Sequence, residues 1–379
     1  MQLRGHWYRG GTSKCWLFDV DDVALHAATQ DEVLMLLADA FGAGDGRQLD
    51  GVGGGTSTTS KAAIITPTPQ GPADLDYLFA QVGIGDPVVE LGSNCGNCAT
   101  AIALYAVQSG IVAPDVGTTR VRMRNLNTGA VLSGMISTPG GRIPTSGHAT
   151  VPGSSALGVA VSLSFHAPWG QTTGSVLPTG SPAEELTVSG IGFTASMIDA
   201  GAPAAFIPAE AVGIDLSSMA GPISEHLPRL IQARSAAAVA MGIRKPEDPP
   251  QNAVPKVGIV APAGDYISAD GTRISAESHD LRVRMLSMLA PHPAIGLTSA
   301  VAVALASATP GTVVAEALLP AHTAPSAPRL LRIGTPAGVI TAEVITDGFG
   351  NVSEVALHRA ARQLAVADID VAQPVAQTA

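Results

Sequence analysis

The sequence predicts an α+β protein of two similar halves, each a set of short, mostly antiparallel strands curled around one apolar helix. Three observations carry this. Short apolar runs punctuated by Gly, Pro, Asn and Asp recur along the whole chain, which is the pattern of strands and turns. The segments CATAIALYAVQS (Cys98–Ser109) and TSAVAVALASA (Thr298–Ala308) read as Ala-rich helices, apolar nearly all round. A helix without a polar face is buried on every side. One such helix falls in each half, each preceded by a loop (LGSNCGN and PHPAIGL).

Taken in order, the first half opens on a strand over Cys15–Val20, and Thr29 caps a helix running to Phe41, with Val33, Leu36, Leu37 and Phe41 on one face. The Gly-rich loop DGVGGGTSTTSK leads into the strand AAIITP. LDYLFAQVG and VVELG follow as strands, and Asn127–Gly129 turns a hairpin between TTRVRMRN and AVLSGMIST. GVAVSLSF is a further strand. Val176–Glu185, VLPTGSPAEE, gathers Pro, Gly and Ser and reads as the boundary between a domain of residues 1–180 and one of residues 181–370. The second half continues with MIDAG and AAFIPA, a helix over Glu225–Met241, the strands KVGIVAPA and LRVRMLSM, and later strands in LLRIGTPAGVITAEVIT and SEVALHRAARQLA. Residues 371–379 form a tail.

The 379 residues suffice for two domains, and 46% hydrophobic content fills two cores. A net charge of −10 disfavours nucleic acid and acidic membranes as partners. It leaves open a small anionic ligand held by local Arg, Lys or helix ends. Three cysteines, Cys15, Cys95 and Cys98, are too few for a disulfide framework. MQLRGHWYRGG lacks the apolar core of an export signal, and no run is long enough to span a bilayer. The expectation is a cytoplasmic protein with reduced thiols.

Cys95 stands just before the first apolar helix, among Asn94, Gly96 and Asn97. Free N–H groups at a helix start lower a thiol pKa, which suits proton exchange near neutral pH. Cys98 completes a C-x-x-C, yet it opens the core pattern Ala99–Ile102 and reads as packing, so the pairing looks incidental. No second C-x-x-C or close His pair exists to complete a zinc site, and no metal is expected. Lys61 is one of only four lysines and follows Ser60 at the end of the Gly/Ser/Thr loop, at the mouth of an apolar strand. An ammonium there resists charging, and a neutral lysine is a competent base. The loop is not a phosphate-binding P-loop, because Ser60 and Ala62 flank the lysine and a strand follows. RGGTSK offers backbone N–H groups at Gly10 and Gly11, the hydroxyls of Thr12 and Ser13, and Lys14, all suited to an anion. In the second half His292, Thr298 and Ser299 precede or open the other apolar helix. If the domains face each other, both helix N-termini aim into one cleft suited to carboxylates.

YRGGTSKCWLF, RQLDGVGGGTSTTSKAAII, SNCGN, VPGSSALGVAVSLSFHAPWG, GSVLPTG and VRMLSM together resemble the PrpF family. Its members include 2-methylaconitate cis-trans isomerase, 4-oxalomesaconate tautomerase and 3-methylitaconate Δ-isomerase. The resemblance runs across nearly the whole chain and implies a diaminopimelate-epimerase-like fold and a homodimer. It implies that Lys61 and Cys95 are the acid/base pair and that Arg284 binds substrate, with Arg282 two residues away as the alternative. The implied reaction moves or isomerises a double bond in a small unsaturated di- or tricarboxylate, and needs no cofactor. Departures are Cys15 in TSKCW, Ala202 in DAGAP and the residues before VPG. Within the fold the rival is a two-thiol epimerase, disfavoured because all three cysteines lie in the first half. Outside it the rival is a thiol oxidoreductase using Cys95 and Cys98.

Overall fold

The computed structural model describes residues 1–91, 95–188, 190–221, 223–249, 254–287, 289–318 and 329–371. The chain forms two compact units, one of residues 1–164 with 359–379 and one of residues 165–358. The sequence placed the division at 180/181 and gave the C-terminal segment to the second half. The contacts divide the chain at 164/165 and return its last strand to the first unit.

The first unit contains β1 (Gln2–Gly10), β2 (Ser13–Asp19), β3 (Lys61–Pro67), β4 (Leu75–Val82), β5 (Val89–Glu90), β6 (Gly117–Asn125), β7 (Val131–Thr138), β8 (Ala149–Val151) and most of β9 (Ser154–His166). Its helices are α1 (Val20–Ala24), α2 (Gln30–Phe41) and α3 (Gly96–Gln108). Thr29 caps α2 through a reciprocal capping box with Glu32, as its sequence predicts. β1 and β2 pair antiparallel, β2 and β3 parallel, β3 and β4 antiparallel, β4 and β6 parallel, β6 and β7 antiparallel. The parallel pairs fall where a helical crossover intervenes, α1 and α2 in one case and α3 in the other. Every residue of α3 from Cys98 to Val107 is buried, and the helix packs on β1, β2, β6 and β7. The opposite face of β3 and β4 (Ala62, Ile64, Ala80, Val82) packs with α2.

The second unit contains β10 (Glu184–Val188), β11 (Ile191–Ala200), β12 (Ala202–Pro208), β13 (Lys256–Pro262), β14 (Tyr266–Ile267), β15 (Arg273–Ile274), β16 (Leu281–Ser287), β17 (Ala290–Pro291), β18 (Arg329–Thr335) and β19 (Gly338–Thr346). Its helices are α4 (Leu227–Ala240), α5 (Leu297–Ala308) and α6 (Val313–Glu316). The pairings repeat the alternation of the first unit: β11/β12 antiparallel, β12/β13 parallel, β13/β16 antiparallel, β16/β18 parallel, β18/β19 antiparallel. α5 is buried from Ser299 to Ser307 and packs on β11, β12 and β19. The long β20 (Val352–Asp370) pairs with β19 at its start and with β1 at its end, where Gln2 faces Asp370.

Candidate active site

The first unit assembles its polar residues around the start of α3. Cys95 is the N-cap residue, extended at φ −126° and ψ 102°, and its carbonyl accepts the Ala99 N–H at 2.9 Å. The β1–β2 turn packs onto the first turn of the helix because it carries no side chain there. A Cβ on Gly10 would stand 1.9 Å from the Asn97 carbonyl oxygen. A Cβ on Gly11 would stand 2.2 Å from Asn97 Oδ1, and Gly11 has φ +53°, a region that favours glycine. That close approach lets Asn97 Nδ2 donate to Thr12 Oγ1 and Ser13 Oγ, both at 3.2 Å. Gly11, Thr12, Ser13, Gly96 and Asn97 thus lie together at the start of α3. Lys14 does not. It lies over the Trp7 ring at 4.9 Å, whereas Cys15, its neighbour on the alternating strand, reaches Cys98 of α3. Asn94 lies outside the described residues.

Lys61 opens β3 beside this turn. Its Nζ donates to Gln81 Oε1 on the facing strand and sits 5.1 Å from the Phe79 ring centroid. Gln81 Nε2 donates to the Ser60 carbonyl at 2.9 Å, and Ser60 Oγ donates to Gln48 Oε1 at 2.6 Å. Gln48 also accepts the Gly55 N–H and donates to the Gly83 carbonyl. The buried Ser60 therefore braces the loop behind Lys61. The Lys61 charge lowers the pKa of both the Cys95 and the Cys98 thiol, against the stronger influences that raise them.

The thiols depart from expectation. The Cys95 and Cys98 thiols shift one another's protonation, as Cys15 shifts that of Cys98, while Cys98 itself is fully buried in α3, in keeping with its packing pattern. Cys95 was expected to have a lowered pKa. It is instead pushed well above the usual thiol range, first by its bond to the Cys98 thiol and then by burial, with Lys61 and the helix backbone pulling the other way. Burial and the bond to Cys15 likewise raise Cys98. Free N–H groups lose this contest because the neighbouring Cys98 thiol favours the proton-bearing form and burial disfavours the thiolate.

In the second unit Arg284 is 6% exposed and donates from Nη2 to the Gly221 carbonyl at 2.7 Å. Arg282 donates from Nε to the Pro262 carbonyl at 2.9 Å. Both share the strand face of Ile259, which packs in the core under α4, and burial lowers the pKa of each. His292 donates its backbone N–H to Met285 at 2.8 Å, and burial lowers its ring pKa. Thr298 and Ser299 are in the first turn of α5, whose N-cap is Gly296. Thr298 meets the β11–β12 turn, where a Cβ on Gly201 (φ +64°) would stand 2.9 Å from its carbonyl oxygen.

Sequence reasoning missed Gln81 and Gln48, which orient Lys61 and its loop. The available signal was a glutamine in the apolar strand LDYLFAQV. Among the described residues no group of three His, Cys, Asp or Glu side chains could hold a metal ion. No helix among them is long and apolar enough to cross a membrane.

The family model described as PrpF protein matches residues 2–372. The 2-methyl-aconitate isomerase of Cupriavidus necator is 33% identical over 333 residues, covering 83% of this chain and 83% of that protein. The crystal structure of methylitaconate-delta-isomerase superimposes with a TM-score of 0.86 at 30% identity, over 97% of this chain and 95% of that one. A hydroxyproline epimerase from Agrobacterium vitis, with bound trans-4-hydroxy-L-proline, superimposes with a TM-score of 0.52 at 11% identity over 98% and 94% of the two chains. That last likeness concerns the fold alone, which is epimerase-like.

Proposed function

The chain belongs to the PrpF family and is an isomerase, and we propose that it transposes or cis-trans isomerises the double bond of a small unsaturated di- or tricarboxylate by proton transfer through Lys61 and Cys95. The observation that carries this is that the Lys61 charge acts on the half-buried Cys95 thiol at the N-cap of α3. The fold is read as two copies of one strand-and-helix unit, supported by the matching order of strand pairings.

The chemistry follows from the groups. The Lys61 amine removes a proton from the carbon next to the carboxylate-activated double bond, giving a delocalised dienolate. The Cys95 thiol returns a proton at the far end of the allylic unit. Lys61 then carries the abstracted proton and Cys95 is a thiolate, and transfer between them through solvent restores both. The raised pKa of Cys95 favours this assignment, since a donor must hold its proton until the dienolate forms. Charge growing on the substrate carboxylate is met by the N–H groups at the start of α3; the Gly11 N–H, expected to be free, instead donates to the Ala360 carbonyl at 2.9 Å. No cofactor enters the cycle. A two-thiol epimerase is not favoured, because the helix start in the second unit offers Gly296 where the first offers Cys95.

The test is a screen of methylaconitate, aconitate, oxalomesaconate and methylitaconate by ultraviolet absorbance, joined to proton exchange in D₂O. Wild type turns over at least one acid and exchanges its proton. Exchange undiminished in both Lys61→Ala and Cys95→Ala would remove these residues from the mechanism.

A further inference from the structure

Strand register places one more cation at the start of α3. Gly10 of β1 faces that helix, since a Cβ on it would stand 1.9 Å from the Asn97 carbonyl oxygen. Residues directly opposite in an antiparallel pair share a face of the sheet, as do residues two apart along one strand. On one side of β1, Gly10 pairs with Ser13 and Tyr8 with Cys15 of β2. Trp16 of β2 pairs with Ala62 of β3, and both pack in the cluster with α2. Lys61, next to Ala62, is therefore on the Cys15 face. On the other side of β1, Gly10 pairs with Ala361 of β20. Arg359, two residues from Ala361, shares that face with Lys61, Ser13 and Gly10. The Gly11 N–H donates to the Ala360 carbonyl at 2.9 Å, which holds β20 to the turn at this level.

The helix runs back along β1 from the turn. Gly10 lies against Asn97 and Ala101, whereas Tyr8 meets Tyr105 and Gln108 further on. Arg359 is one step beyond Gly10 in the opposite direction, past the N-terminal end of α3. A helix start carries free N–H groups and partial positive charge there. Every residue named belongs to the first unit.

Arg359 is 8% exposed, and its buried Nε has no hydrogen-bond partner. Among the described residues no carboxylate influences it: burial is the one cause that lowers its pKa, to about 10. Arg9, equally buried on the other face of the same strands, is spent, donating to the carbonyls of Gly11, Ala156 and Leu157. A buried cation without a counter-charge is costly, and a bound anion removes that cost. A guanidinium suits a carboxylate, onto which it can fork.

We propose that Arg359, directed past the N-terminal end of α3, binds one carboxylate of the substrate within the first unit. It binds and does not transfer protons, because a guanidinium keeps its proton. That the carboxylate is the substrate's rests on the isomerase reading; that Arg359 takes a carboxylate does not.

The probe is tricarballylate, a saturated tricarboxylate that has no double bond to move. Calorimetry on the full chain should show its Kd raised about tenfold or more by Arg359→Met, and less by Arg359→Lys, which keeps the charge but loses the fork. In wild type labelled with ¹⁵N-arginine, the Arg359 Nε–H resonance, identified by its loss in Arg359→Lys, should move as tricarballylate is added. That reading serves even if Arg359→Met fails to fold. An unchanged Kd in a folded Arg359→Met, a resonance that stays in place at saturation, or no binding of tricarballylate to wild type overturns the site. Failure of the isomerase reading would show separately, as wild type inert in the acid screen while Arg359 still responds to tricarballylate.

Discussion

The starts of the two buried helices are built alike and equipped differently. In each unit a glycine-bearing hairpin turn presses on the second residue of the helix, Gly10–Gly11 on Asn97 and Gly201 on Thr298. In each a lysine opens the third strand. The first unit then adds a thiol at the N-cap, where the second has Gly296. Of the two N-cap residues, only Cys95 carries a side chain that can give or take a proton. The comparison teaches that one scaffold can carry a proton-transfer group at one helix N-cap and none at the other.

The comparison breaks most visibly at Lys61. Lys61→Ala should lower kcat by about 10³-fold, within the usual span of general acid–base catalysis, and abolish D₂O exchange together with turnover. Cys95→Ala should cost less, about 10²-fold in isomerisation. It should still exchange substrate protons faster than it isomerises them, because Lys61 continues to abstract and return a proton at the same carbon. Equal loss of exchange in the two variants would assign abstraction to the thiol and reverse the roles.

The hairpin contacts test the shared scaffold. Gly10→Ala drives a Cβ into a backbone oxygen of α3, which has no room to give, and should destabilise the protein by about 3 kcal/mol, as strong overpacking does. Gly201→Ala meets its oxygen at 2.9 Å and suffers mainly from φ +64°, so about 1–2 kcal/mol is expected. Scanning calorimetry should show the larger drop in Gly10→Ala; a larger drop in Gly201→Ala would overturn this ranking of the two turns.

Much of this was legible in the sequence for physical reasons. Apolar helices without a polar face can only be central, so α3 and α5 were readable from Ala-rich runs. The Thr29 cap was readable because a capping box is local. The division of the chain was not, because the return of β20 to β1 is a pairing over the whole chain length that leaves no local trace. The orientation of Lys14 was lost for a related reason: alternation along β2 decides it, and the register of that strand is set by partners far away in sequence. Cys98 was readable as helix packing, and it is fully buried; its neighbour Cys15 was not readable, because the two are brought near only where β2 packs on α3.

The smallest effect is the one that separates the first helix start from a redox dithiol. The bond from the Cys98 thiol is the largest influence holding the proton on Cys95. Removing it by Cys98→Ala stabilises the thiolate relative to the thiol and must lower the Cys95 pKa. At a fixed pH on the rising part of the titration, more thiolate is then present. Iodoacetamide should alkylate Cys95 from a lower pH than in wild type, and the alkaline limb of the kcat–pH profile should move down with it, because Cys95 acts while protonated. Turnover at neutral pH should stay within a few-fold of wild type. A dithiol oxidoreductase behaves otherwise, since loss of Cys98 would end its chemistry at every pH. An alkylation profile that does not move would mean that burial alone, and not the neighbouring thiol, keeps Cys95 protonated, and would leave the second unit's Gly296 as the only difference that matters between the two helix starts.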